Sequence, residues 1–321
     1  MSSSKSADME RPKIITVTLN PCMDKTVEVA GFAAGKTNRV LTSRTDVGGK
    51  GVNVARALLG CGEPFLATGL AAGTNGRRLT DTLSQMGVPC AFQEAVGETR
   101  VNLKIIDTNS GEMTELNERG FEAGSAYSAF LDTLREYLPG TQVLTLSGSL
   151  PPDLGASVYR DLTALADSYG VRVILDADGE ALRKGVEAKP FAIKPNIAEF
   201  RALAGEDVQT IAQIVSAARR LAAKGIGLVA VSCGADGAVF VRGDRALRTV
   251  PFPIEVGSAA AAGDSMVAAL AWSIARDLPL DATARLMTAA GTCTASLPGT
   301  QVAPLSEALS HAKDVEVRMI E

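Results

Sequence analysis

Histidine is almost missing from this 321-residue chain, whose only imidazole is His311, near the C-terminus in a stretch of helical periodicity over 305–312. A Ser-His-Asp triad, a histidine metal cluster and a phosphohistidine relay all need imidazoles that are not there. Any general base is therefore expected to be a carboxylate. Aromatic residues are scarce too, at 4% against a hydrophobic fraction of 46%. The core must rest on Val, Ile, Leu and Ala, which suits parallel strands covered by helices on both faces. The five cysteines (Cys22, Cys61, Cys90, Cys233 and Cys293) form no Cys-x-x-Cys pair, which argues against zinc and a disulfide framework. Free thiols in an α/β chain point to a cytoplasmic compartment. No apolar run is long enough to span a bilayer, and residues 1–13 lack the apolar segment of a signal peptide, so 1–12 is expected to be a flexible tail. The formal net charge is -4 with no basic block, so neither nucleic acid nor an anionic membrane is an expected partner.

What is present is an ordered alternation of short apolar runs and helical patterns. Residues 13–19 (KIITVTL) read as a buried strand, followed by strand-like stretches at 26–32 and 40–47 and a helix over 52–59. Residues 65–70 read as a strand and 76–86 as a helix. Residues 100–107 and 112–118 read as a hairpin around Asn109-Ser110-Gly111. From Ala123 onward, short strands at 143–146, 171–175, 191–193 and 228–231 alternate with helical segments, which predicts a parallel sheet with right-handed crossovers. The expected organisation is an α/β core over 13–21, 48–96 and 121–321, with a β lid assembled from 22–47 and 97–120. Ligands of such sheets bind beyond the carboxyl ends of the strands.

The residues with chemistry in them follow those strand ends. In Ala261-Ala262-Gly263-Asp264, small residues turn the chain into a long apolar helix whose unpaired N–H groups form an anion site. Asp264 falls in the first turn, either as a dipole partner or as a base for a hydroxyl proton. Gly48-Gly49-Lys50-Gly51-Val52-Asn53 is neither a Walker A loop nor Gly-x-Gly-x-x-Gly. It is either a tight strand–helix turn or a backbone approaching a polar ligand, with Lys50 for an anion and Asn53 for hydroxyls. Asp24 is a turn residue or a hydroxyl acceptor. Arg100 and Asn102 share one side of a strand, where Arg100 suits a phosphate. Asn196 and Glu199 are three apart at a helix start, which fits a capping box, Mg²⁺ held through water, or both. Ser232 to Gly237 reads as a hairpin turn able to contact a nucleotide through its N–H groups.

Taken in order, TVTLNPCMD (16–24), GGKGVNVARAL (48–58), GETRVNLKI (97–105), SGSLPP (147–152), KPNIAEF (194–200), VSCGADG (231–237) and AAGDSMVAAL (261–270) resemble the ribokinase-like sugar kinases, the PfkB family. Within it they resemble the 1-phosphofructokinase and tagatose-6-phosphate kinase branch. The resemblance implies a three-layer sandwich with a mostly parallel central sheet and a small β lid through which members dimerise. It implies ATP and Mg²⁺, and a sugar phosphate as acceptor, with D-fructose 1-phosphate first, tagatose 6-phosphate and fructose 6-phosphate as alternatives. By position, Asp264 matches the catalytic base, and Gly263 with the N–H groups of Ala261 and Ala262 the anion hole. Lys194, Asn196, Ser232, Gly234, Ala235, Gly237 and Gly263 match nucleotide contacts, and Asn196 and Glu199 the Mg²⁺ organisers. Asp24, Gly49, Lys50, Asn53 and Asn102 match the sugar site, while Arg100, Ser149, Lys36 and Arg39 match contacts to the phosphate already on the sugar. One departure stands out: Ala261 occupies the first glycine of the family's Gly-Ala-Gly-Asp. If that position needs positive φ, alanine costs about 1 kcal/mol there, and a non-catalytic sugar-phosphate sensor becomes the rival reading.

Overall fold

The computed structural model describes residues 11–320. Of the expected tail, residues 1–10 lie outside that range. Arg11 and Pro12 do not behave as a tail, because Arg11 donates to the Pro139 carbonyl and Pro12 accepts from Thr141 Oγ1.

In chain order the first elements are β1 (Ile14–Thr18), β2 (Cys22–Val29), β3 (Val40–Gly48), α1 (Lys50–Ala57), β4 (Phe65–Ala72), α2 (Gly73–Gln85), β5 (Cys90–Ala95), β6 (Arg100–Asp107) and β7 (Met113–Asn117). The chain continues through α3 (Ala126–Tyr137), β8 (Val143–Ser147), α4 (Val158–Asp167), β9 (Arg172–Asp176), α5 (Gly179–Gly185), β10 (Ala192–Ile193), α6 (Ile197–Ala204) and α7 (Ile211–Ala223). It ends with β11 (Leu228–Ser232), β12 (Ala238–Arg242), β13 (Arg245–Val250), α8 (Ala262–Ala275), α9 (Leu280–Ala295), α10 (Leu305–His311) and β14 (Glu316–Ile320).

Ten strands form one sheet in the order β14-β13-β12-β11-β10-β9-β8-β1-β4-β5. The strands from β11 to β5 run parallel. Strand parity distributes the core over both faces. Ile15, Val17, Leu144 and Leu146 meet Phe130, Tyr159, Leu162 and Ile214 on one side, while Ile14, Val143 and Ile174 meet the helices α8 and α9 on the other. Helix α8 is apolar all round and buried from Asp264 to Ala275, as a helix wedged between a sheet and other helices must be. The strand alternation predicts the parallel part of this sheet. The antiparallel edge β12-β13-β14 differs, because a tight hairpin joins β12 to β13 and, after α8, α9 and α10, β14 comes back beside β13 in the opposite direction.

Four strands form a second sheet, ordered β3-β2-β6-β7, with β2 parallel to β6 and the outer pairs antiparallel. In the large sheet the chain leaves β1 for β4 on one side and later returns to β8 on the other. By the topological rule for open α/β sheets, that reversal places the ligand crevice beyond the carboxyl ends of β1 and β8. The second sheet starts from the same point, since β2 begins at Cys22, just after β1.

Candidate active site

Five strand ends deliver polar residues to this crevice. The segment after β1 carries Asn20, β8 leads to Ser149, β9 ends on Asp176, β10 is followed by Lys194 and Asn196, and β11 ends on Ser232. Opposite them stand the starts of α1 and α8. Gly49 enters α1 with φ 109, a value that favours glycine, and a Cβ there would lie 3.1 Å from Pro21 Cα. At the start of α8, a Cβ on Gly263 would lie 3.1 Å from Lys194 Nζ. Glycine therefore lets an ammonium approach the positive end of the helix. Ala261 caps α8 at φ 60 and ψ -2, so the position does require the left-handed conformation.

The buried carboxylate of Asp264 is 7% exposed and accepts from Asn53 Nδ2 at 2.8 Å. Lys50 Nζ reaches Asp176 Oδ1 at 3.2 Å and Glu199 Oε1 at 3.7 Å, and Lys194 Nζ lies 3.6 Å from the same Asp176 oxygen. Burial, reinforced by the charge of Asp176, pushes the Asp264 carboxyl up to about 7 against the opposing pull of Lys50, Asn53 and Lys194. At Lys50 burial disfavours the ammonium, but Asp176, Glu199 and Asp264 outweigh it and hold the group above the ordinary lysine range.

At the other end, Arg100 Nη2 donates to Ser149 Oγ at 3.1 Å and to the Asn20 carbonyl at 3.2 Å. Asn20 Nδ2 lies 3.3 Å from the same hydroxyl. Asp24 pairs with Lys104 at 3.8 Å and sits beside Asn102 in the β2–β6 register. Arg100 Nε, Asn102 Oδ1 and Asn20 Oδ1 are buried without a partner. Such orphaned donors and acceptors mark a surface shaped for a polar ligand.

The structure thus brings together Asp264, Gly263, Lys50, Asn53, Lys194 and Glu199, and separately Arg100, Ser149, Asp24 and Asn102. Asn196 and Glu199 form a full capping box, with Asn196 Oδ1 accepting from the Glu199 N–H at 2.9 Å and Glu199 Oε2 from the Asn196 N–H at 2.8 Å. Ser232, Gly234, Ala235 and Gly237 lie on the hairpin turn, beside Asn196 through a parallel bridge to Ser232. Lys36 and Arg39 are not brought to either group. They are exposed on the loop after Val29, at the end of β2 remote from Cys22, roughly 20 Å along the strand.

The sequence reading misses Asp176, Asn20, Arg56 and Lys104. Asp176 closes the apolar run of β9, but with Asp178 two residues further on nothing local singles it out. Among the described residues no set of three His, Cys, Asp or Glu is grouped to hold a metal, and no helix is long and apolar enough to cross a membrane. All five cysteines are free.

The profile of the pfkB family carbohydrate kinases matches residues 17–308. The 1-phosphofructokinase of Rhodobacter capsulatus is 41% identical over 310 residues, spanning 96% of this chain and 98% of that protein. The 1-phosphofructokinase of Xanthomonas campestris pv. campestris is 36% identical over 285 residues, 87% of this chain and 90% of that one. The structure of phosphofructokinase-2 from Escherichia coli in complex with substrates and products superposes with a TM-score of 0.88 at 30% identity, covering 94% of this chain and 99% of that chain. Similarity along nearly the whole length, over a crevice with a buried carboxylate at a helix start, places the chain in the pfkB family of carbohydrate kinases, phosphotransferases with an alcohol acceptor.

Proposed function

We propose that this kinase transfers the γ-phosphoryl group of ATP to the C6 hydroxyl of D-fructose 1-phosphate, giving fructose 1,6-bisphosphate and ADP. The observation that carries the reading is the two-ended crevice. A raised, buried carboxylate stands at one end, and an arginine with a serine hydroxyl and orphaned polar atoms stands at the other. Names of relatives at 41% and 36% identity support the acceptor.

In this mechanism Asp264, held by Asn53, takes the proton as the acceptor oxygen attacks the phosphorus. The N–H groups of Ala261 and Gly263 and the ammonium of Lys194 face the charge that develops on the transferring group, while the Ala262 N–H donates to the Ala259 carbonyl at 3.4 Å. Lys50, locked between Asp176 and Glu199, adds positive charge on the same side. Asp24, Gly49, Asn53 and Asn102 line the sugar, and Arg100 with Ser149 holds its phosphate. The turn from Ser232 to Gly237 lies against the nucleotide.

The donor set fits Mg²⁺ held chiefly by nucleotide phosphates and its own waters. The capping box leaves Glu199 Oε1 free of the backbone, and Asp176 Oδ2 is buried without a partner. Glu199 would hold the ion through water, with Asn196 fixing the Glu199 side chain. Bound there with ATP, Mg²⁺ would neutralise charge developing on the phosphate oxygens.

The four-stranded sheet, drawn from 22–47 and 97–120, acts as a lid on the core of 13–21, 48–96 and 121–321, keeping water from the transferring phosphoryl. It is also the proposed homodimer surface, because Val40, Leu41, Met113 and Leu116 are exposed on it. Free thiols fit a cytoplasmic setting.

The test is ADP release with Mg-ATP against fructose 1-phosphate, tagatose 6-phosphate and fructose 6-phosphate in parallel. Strong preference for fructose 1-phosphate is expected, and preference for another acceptor reassigns the substrate. The strained Ala261 favours one second reading, a sugar-phosphate sensor, which would bind these compounds in calorimetry without releasing ADP.

A further inference from the structure

An asparagine beside a carboxylate helps only if its nitrogen faces the carboxylate. Turned over, the amide would set oxygen against oxygen. Something must therefore choose the orientation of Asn53. Three residues further along α1, on the same helix face, Arg56 places Nη1 3.0 Å from Asn53 Oδ1. A guanidinium can only donate, so it claims the amide oxygen and leaves Nδ2 for Asp264, 2.8 Å away. Nη1 also reaches the carbonyls of Val47, at 3.2 Å, and Thr300, at 3.3 Å. The Thr300 hydroxyl in turn donates to Asp46 Oδ2 at 3.2 Å. Strand β3 of the small sheet, helix α1 and the loop after α9 thus meet on one side chain, which is held in place from three directions.

We propose that Arg56 is a positioning residue for phosphoryl transfer: it orients Asn53 toward Asp264 and ties that pair to the base of the small sheet. The proposal rests on Asp264 being the catalytic base. The charged groups facing Asp264 are Lys50 and Arg56 from α1, Asp176 from the end of β9 and Lys194 from the segment after β10. Loss of Arg56 removes one positive charge from this set and frees the amide to turn away. Both changes favour the protonated carboxyl.

The experiment is a double-mutant cycle of Arg56→Met and Asn53→Ala, with Arg56→Lys and Asp264→Asn measured alongside. The readouts are kcat, KM for both substrates, and the pH profile of kcat/KM. Arg56→Met is expected to lower kcat on the order of tenfold, the cost of one charge-assisted hydrogen bond. KM for Mg-ATP should stay unchanged and the acid limb should move to higher pH. In the Asn53→Ala background the same substitution should cost less than about twofold, because its route to Asp264 is already gone. Arg56→Lys keeps an obligate donor and should retain turnover within about threefold of the parent. Losses that multiply in the cycle, or an acid limb that does not move, overturn the proposal. If Arg56→Met does not fold, Arg56→Lys decides in the same cycle: turnover near the parent supports the role, and a loss as deep as that of Asp264→Asn overturns it. An Asp264→Asn variant that keeps its turnover removes the base itself and both readings with it. A dead Asp264→Asn beside a fully active Arg56→Met removes only the positioning role.

Discussion

The two ends of the crevice hold their charges differently. Around Asp264 the carboxylates of Asp176, Glu199 and Asp264 interlock with the cations Lys50, Lys194 and Arg56, three of each sign. Around Ser149 Asp24 pairs with Lys104, and among the described residues Arg100 makes no ion pair. The first end can move a proton and still welcome a dication with its nucleotide. The second is left with a surplus positive charge for a phosphate. Such a contrast sorts one substrate's two ends before any chemistry occurs, because reversing the substrate would set phosphate against carboxylates.

The sharpest way to break the contrast is to disable one end at a time. Asp264→Asn should lower kcat on the order of 10³-fold with little change in KM, since the amide cannot accept the proton but keeps the shape. Arg100→Gln should do the converse, raising KM for the sugar phosphate about 10- to 100-fold with a smaller effect on kcat, the loss of one charge-assisted contact. Steady-state kinetics on both variants would show whether the ends are separable. If Arg100→Gln instead lowers kcat and leaves KM alone, the phosphate does not sit there.

How much of this contrast the sequence could reveal depends on how local each signal is. The start of α8 was readable because a chain that turns sharply into a buried helix needs small residues there, and Asp264 follows them immediately. The parallel strands were readable from apolar runs of strand length, and the capping box of Asn196 and Glu199 from its three-residue spacing. Asp176 escaped because its importance is tertiary: it gains two lysines from positions 50 and 194, which no window around residue 176 contains. Arg56 escaped because an arginine on an amphipathic helix looks like a solvated residue until Thr300 and Val47 close over it. The antiparallel edge escaped likewise, because β14 pairs with β13 across more than sixty positions of intervening chain.

The pH dependence separates the two ends more finely. Burial beside Asp176 lifts Asp264 to about 7, so kcat/KM should fall as pH drops through that region, where the base takes up a proton. Stability should run the other way. A carboxyl whose folded value lies above its unfolded one favours the fold fully below the ordinary carboxylate range, and loses that contribution as pH rises through about 7. Asp264→Asn avoids burying the charge, so its Tm should exceed the parent's by a few degrees at pH 8 and approach it below pH 5. A Tm difference independent of pH would show that Asp264 is not perturbed in the way its surroundings imply.

The smallest expected effect is at Ala261, where charge is not involved. Its φ of 60 costs a non-glycine residue about 1–2 kcal/mol. Ala261→Gly relieves that strain but gives back about 0.5–1 kcal/mol in unfolded-chain entropy. Stability should therefore rise by no more than about 1.5 kcal/mol in equilibrium unfolding. The rate should change little as well, within about threefold, because in the proposed site the anion would be held by N–H groups that the backbone supplies whichever residue stands there. The same substitution is informative if that expectation fails. A gain beyond about tenfold would mean that the methyl group, and not the fixed charges, had been limiting transfer. An inactive parent rescued by glycine would turn the contrast between the two ends around: the phosphate end would be the part still in use, and the protein would be a sensor carrying an intact but obstructed kinase site.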